Sequence, residues 1–370
     1  MTKLKLILFF LFSYCLLQAQ ESRQNELATY LKNNWATPED YVISKFKDHD
    51  YVLIGEYGRI KHDVELIANL IPLLYKNGIY CLATEYGVSL HQKLIDSLIT
   101  APEFNRKRAD SIMFRYNSLW GYKEYIDLYE AAWKVNHSLK PGEKKFRIVN
   151  LACLYFPCEK LHYMKNNLDL FMLKVFYDEI KKKKVKALIY TSSNRALTRY
   201  HTPDYDFENK IVNGYISRFG NVLYDSLKGK IFNIYLHAGW PSAKGFDVPC
   251  VRPVNGTIDS VMKKFKDKRV GFDVANSPFR KLSSADSYYA LGHPGFTLGD
   301  YCDGYIYQDA FKNYEPITME KNFITDKLLD DLKLYLKCSW WSKAKLKKIN
   351  VKNANKKLFI DIRKDFRHLK

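Results

Sequence analysis

From residue 51 onward the chain alternates short, continuous apolar runs with longer segments in which apolar positions recur every three or four residues. Tyr51–Glu56 reads as a strand, Ile60–Lys76 as an apolar-rich helix bent near Pro72 and ended by Asn77-Gly78, and Ile79–Thr84 as a second strand. Strands spaced by helices of this length predict right-handed βαβ units and a buried, mainly parallel sheet. Further strands are expected at Phe146–Ala152, Val185–Thr191, Ile231–His237, Val270–Val274 and Tyr305–Tyr307. Helices are expected at Glu21–Asn34, from Thr37-Pro38 onward, and at Asn166–Lys183, Phe207–Leu227 and Thr325–Lys337. Ser89–Asn136 reads as helical throughout, an insertion able to roof a site, whose Trp120, Tyr125, Tyr129 and Trp133 read as core packing. The fold class is therefore α/β: a central, mainly parallel sheet flanked by helices, with a helical insertion at about 89–138 after the second strand.

Two of the apolar runs close on an acid. Glu56 ends the first and Glu85 the second, and each is followed at once by Tyr-Gly. Open α/β sheets place ligands where strands hand over to loops, so the pair predicts two carboxylates on one sheet edge. An acid ending a buried strand is costly unless it is paired or functional. His62 and Glu65 follow Glu56 at helical spacing and are expected beside it, in reach of a shared water or metal. The end of the Val185–Thr191 strand adds Asn194 and Arg195, with His201 beyond it, and the end of the Ile231 strand brings His237. Carboxylates beside an imidazole suit water activation on an ester or amide, and Arg195 suits an oxyanion. Glu65 also reads as a solvated helix residue and His201 as a loop surface residue.

Composition sets the context. The 370 residues, 47% apolar and 15% aromatic, can fill a large core. Met1–Gln20 opens with Lys3 and Lys5, continues through an apolar stretch and reaches Gln18-Ala19-Gln20, which predicts a secretory signal peptide and a secreted or periplasmic protein. The apolar stretch, about 12 residues, is short for a membrane span of about 20, and no later stretch is longer, so no transmembrane segment is expected. A lipoprotein anchor at Cys15 is disfavoured by Tyr14, which stands where a small residue is wanted. Of the other cysteines, Cys153 and Cys158 are close enough in sequence for a local bridge and Cys81 reads as a small buried hydrophobe.

The net charge is +19, and between Lys343 and Lys370 eleven Lys or Arg stand against Asp361 and Asp365. The chain thus divides into the signal (1–20), one α/β domain (21–325), and a C-terminal helix with a basic tail (326–370) that suits electrostatic contact with anionic surfaces. Specific nucleic-acid binding is not expected, because zinc-finger spacings and RNP-like strands are missing. There is also no GxSxG, P-loop, strand-linked GxGxxG, HExxH or CxxC.

These segments resemble the superfamily that joins the erythromycin esterases, the haem-uptake protein ChaN and the Tiki/TraB proteases. The resemblance rests on Leu53-Ile-Gly-Glu56 with His62 and Glu65, the helix from Leu66 to Gly78, Leu82-Ala-Thr-Glu85, Trp120–Tyr129 with Trp133 and Asn136, and Ala187-Leu-Ile-Tyr190. Gly271–Val274, Ser277–Phe279 and Cys302–Ile306 look like its secreted bacterial branch, and the likeness covers roughly residues 50 to 320. It implies two strand-end glutamates plus histidines soon after the first Glu and after the later strand. Here Gly58 and Asn194 stand near those two places. Three functions follow as expectations: a ligand-binding pseudoenzyme for a small-molecule or envelope ligand, a Glu/His hydrolase of ester or amide bonds, and a basic envelope-associated scaffold. A divalent metal and haem are the cofactors the resemblance brings forward.

Overall fold

The first strand is hydrogen-bonded on both sides, and its partners explain why its whole length is buried. The computed structural model describes residues 18, 21–153, 168–338 and 343–369. Its strands are β1 Tyr51–Glu56, β2 Cys81–Val88, β3 Arg147–Ala152, β4 Ala187–Ser192, β5 Thr202–Asp206, β6 Ile211–Ile216, β7 Ile231–Leu236, β8 Val270–Asp273 and β9 Gly304–Tyr307. Seven of them form one sheet in the order β3-β2-β4-β1-β7-β9-β8. All neighbours are parallel except β8, which runs antiparallel to β9. This is the expected α/β architecture. Parallel strands covered on both faces need apolar residues at successive positions, and Val52, Leu53 and Ile54 are all inaccessible to solvent.

Helices cover the sheet. Lys61–Lys76 turns Val64, Ile67, Leu70, Ile71 and Leu74 inward and packs on the helix Lys123–His137. The insertion is three helices rather than one continuous run, Gln92–Ile99, Arg106–Tyr116 and Lys123–His137, interrupted where Pro102 and Gly121 fall.

Of the stretch expected as a helix at Phe207–Leu227, only Phe219–Ser226 is helical; residues 207–216 are instead the turn and second strand of the antiparallel β5-β6 hairpin. Asp206 accepts hydrogen bonds from the backbone N–H groups of Glu208 and Asn209, which makes the turn. Along β6 exposure alternates residue by residue, the period of a strand, and Gly214 weakens a helix there. β2 runs past Thr84 to Val88, with a register shift against β3 that contains Glu85.

The basic tail is folded. After Asp326–Cys338 come short helices at Lys343–Lys347, Val351–Leu358 and Arg363–Phe366. Ile349, Ala354, Leu358, Ile362, Phe366 and Leu369 are buried while many of the lysines and arginines between them stay in solvent. Among the described residues no helix is long and apolar enough to cross a membrane. The signal segment, Cys15 and Cys158 lie outside the described residues, apart from Gln18. Cys81, Cys153, Cys250 and Cys302 are free thiols.

Candidate functional site

β1, β4 and β7 end side by side, so the residues that follow them share the C-terminal edge of the sheet. Glu56, the last residue of β1, is 1% exposed. Tyr125, from the helix Lys123–His137, donates its hydroxyl to Oε1 at 2.5 Å, and Tyr190 of β4 donates to Oε2. Burial raises the carboxyl's pKa, whereas the hydrogen bonds of Tyr125, Tyr190 and Tyr86 and the charge of Arg59 act the other way. The three tyrosine rings pack on one another, 4.9 Å between Tyr86 and Tyr125 and 5.2 Å between Tyr86 and Tyr190.

The turn after Glu56 is made by Gly58 at φ +105° and Arg59 at φ +62°. Arg59 places its guanidinium 4.4 Å from the centre of the Trp120 ring, and its backbone N–H points to the Tyr125 hydroxyl at 3.5 Å. The insertion therefore closes over Glu56 through Trp120 and Tyr125.

Glu85 lies across β4 from Glu56. Arg195 donates to its Oε1 at 2.8 Å, and the N–H and hydroxyl of Ser192 both donate to Oε2 at 3.0 Å. Ser192 is also the register partner of Glu56, so one residue links the two acids. Arg195 is held from behind by Asp169 at 3.0 Å, which also accepts from Arg218. Gly55 makes this possible: a Cβ there would stand 2.8 Å from both the Ala196 Cβ and the Ser193 Cα, so only glycine lets the short helix Ser193–Ala196 lie against β1.

The histidines separate into different environments. His62 lies on Tyr314, ring centres 4.8 Å apart, with Nε2 3.5 Å from Asp63 Oδ1. Burial holds its pKa down at about 4, against the opposing charge of Asp309. Asp63 is buried too, accepts from Gln308 at 2.8 Å, and is raised well above the usual range by desolvation and by the charge of Glu56. His237, 1% exposed, pairs Nδ1 with the Tyr305 hydroxyl at 2.7 Å and sets Nε2 3.6 Å from Asp259. Burial alone would raise Asp259, but His237 and Arg252 outweigh it and hold the carboxyl below the usual range.

Of the residues expected from sequence, Glu56, Glu85 and Arg195 form one connected cluster, and His62 joins its margin through Asp63. Glu65 and Asn194 are exposed. His201 belongs to the hairpin, bonded to Ser217 at 3.1 Å and accepting from His293 through its carbonyl. Sequence reading missed the tyrosine shell, Arg59, Asp63 and Asp169. The available signals were Tyr86 directly after Glu85, Tyr190 two residues before Ser192, and the acid directly after His62.

No family model matches the sequence, and no curated protein matches it. Solved structures do. A succinoglycan biosynthesis protein superimposes with a TM-score of 0.54 at 11% identity, covering 82% of this chain and 99% of the other. The two chains share a fold. Erythromycin esterase, in an open-conformation mutant, is also a structural neighbour at TM-score 0.41 and 8% identity, covering 79% and 100%. So is ChaN of Campylobacter jejuni, described with cofacial haem, at 0.36 and 16%, covering 57% and 89%.

Proposed function

We propose that this protein is a secreted, ligand-binding relative of the erythromycin esterase/ChaN-like group, with a sheet edge that keeps the acids as structure and has lost the hydrolytic set. One observation carries the reading: the oxygens of Glu56 and Glu85 are already engaged by protein donors. Glu85 accepts from Arg195 on one oxygen and twice from Ser192 on the other, and Glu56, with a tyrosine on each oxygen, is 1% exposed, so neither acid is open to orient a water. Gly58 supplies no side chain, Asn194 is exposed and cannot take a proton, and an imidazole held at about 4 is a weak base at neutral pH.

The same donors fit a divalent metal poorly, since a guanidinium already faces Glu85. Among the described residues no group of three or more His, Cys, Asp or Glu side chains is placed to hold a metal ion. For haem, His237 is enclosed by Tyr305, Tyr307 and Phe311, and His62, though its side chain is 22% exposed, keeps Nε2 buried 3.5 Å from Asp63.

A second reading, hydrolysis of esters or amides, draws on the raised carboxyls of Glu56 and Asp63, the kind of group that serves as a general acid. A panel of ester and peptide substrates separates the two. The binding reading expects no turnover above buffer; steady turnover abolished by Glu85→Gln, with the fold intact by circular dichroism, establishes the hydrolase instead.

A further inference from the structure

Beyond the glutamate cluster, the loops after β1 and β7 and the C-terminal segment enclose a cavity of about 520 Å³. That volume lies in the range of small-molecule sites. One wall is apolar. Tyr57, Phe246 and Val248 are 36%, 67% and 37% exposed, so three large apolar side chains left open to solvent converge on one cavity. They are mounted on built structure: Trp240 and Val251 exchange backbone hydrogen bonds at 2.8 and 2.7 Å, and Phe246 leans on Tyr288 at 4.8 Å between ring centres.

The other wall is cationic. It carries Lys364, Arg367 and His368 on the segment that the carbonyl of Cys250 and the side chain of Arg252 clip to the body. Lys364 and Arg367 are exposed and have no ion-pair partner among the described residues. Asp365, the acid on this wall, interacts with the Tyr57 hydroxyl by charge and hydrogen bond. The carboxylate charge felt by Lys364 is that of Asp361, which is itself ion-paired to Arg363 at 2.7 Å.

We propose that this cavity binds a small amphiphilic anion, its apolar body against Tyr57, Phe246 and Val248 and its acidic head between Lys364 and Arg367. None of the acids discussed under the proposed function takes part, so the site stands or falls independently of hydrolysis.

Isothermal titration of the purified protein with decanoate, and with decanol as the neutral counterpart, tests it. Saturable decanoate binding is expected, weakened about tenfold or more by Lys364→Glu with Arg367→Glu while decanol is nearly unaffected. Phe246→Ala is expected to weaken both ligands. Lys352→Glu with Lys356→Glu makes the same charge change on exposed tail positions that do not line the cavity, and is expected to leave decanoate binding in place. No saturable binding of decanoate overturns the proposal. So does an equal loss in the two charge-reversed pairs, which would leave only a long-range field, or full binding in a well-folded Phe246→Ala protein.

Discussion

Ser192 donates both its backbone N–H and its hydroxyl to the same oxygen of Glu85, each at 3.0 Å. β2 and β4 are thereby joined beyond the point where their ladder stops at Thr84 and Tyr190. Arg195 completes the clamp on the other Glu85 oxygen and passes it on to Asp169.

Removing Arg195 leaves two poorly solvated carboxylates facing each other's vacancy, so Arg195→Ala is expected to cost about 3 kcal/mol of stability. Glu85→Gln keeps the shape and is expected to cost about 1 to 2 kcal/mol. In urea unfolding the double variant should lose clearly less than the sum of the two, and simple additivity would show that the pair is not coupled.

The tyrosine shell makes a separate prediction. Tyr125→Phe and Tyr190→Phe each remove one donor from a carboxylate that water does not reach, and each should destabilise by about 1 to 3 kcal/mol. Both should also raise the Glu56 pKa further, readable by carboxyl NMR; a Glu56 carboxyl that does not move argues against the hydrogen bonds.

His62 should give stability an acid limb. Its native pKa of about 4 lies below the unfolded 6.5, so the unfolded chain takes up the proton first. The contribution is intact above 6.5 and falls as pH drops toward about 4, by up to about 3 kcal/mol. His62→Gln should flatten that limb in urea midpoints measured across the range.

Asp63 works in the opposite direction. Its raised pKa means that the native state holds a proton the unfolded chain releases, so stability is lost as pH rises above the usual carboxyl range. Asp63→Asn keeps the acceptor for Gln308 without the charge, and at pH 8 it is expected to stabilise by on the order of 1 kcal/mol. A less stable variant at that pH refutes the burial argument.

Gly55 is expected to tolerate no side chain. Gly55→Val drives a branched group into Ala196 and Ser193, costs about 2 to 3 kcal/mol, and moves Arg195 off Glu85. Thermal unfolding reports the first effect. The second appears as an Arg195→Ala substitution that costs less in the Gly55→Val background.

The sheet was legible because parallel strands buried on both faces leave continuous apolar runs, and β1 was bounded at the same residues from sequence as from structure. The β5-β6 hairpin was not. Its aromatic and β-branched residues also satisfy a helical spacing, and the Asp206 turn that decides the matter is a local side-chain contact. At the site, the two acids declared themselves by ending apolar runs. Their partners did not, because a tyrosine that donates to a buried carboxylate looks in sequence like any core aromatic. His62 and Glu65 lie on neighbouring parts of one helix face as their spacing implies, but that face borders solvent: His62 is half-buried, Glu65 exposed, and it is Asp63, about 100° round the helix from His62, that faces inward.

The neighbours of β1 have a consequence for synthesis. Its hydrogen-bond partners begin at Ala187 on one side and Ile231 on the other, so the strand that carries Glu56 has nothing to pair with while the first half of the chain leaves the ribosome. The segment Tyr51-Val-Leu-Ile must then wait as an open, apolar β-former, which is the stage at which such chains are most prone to associate with one another. Slowing elongation before Ala187 should therefore raise aggregation, and slowing it after Leu236 should not.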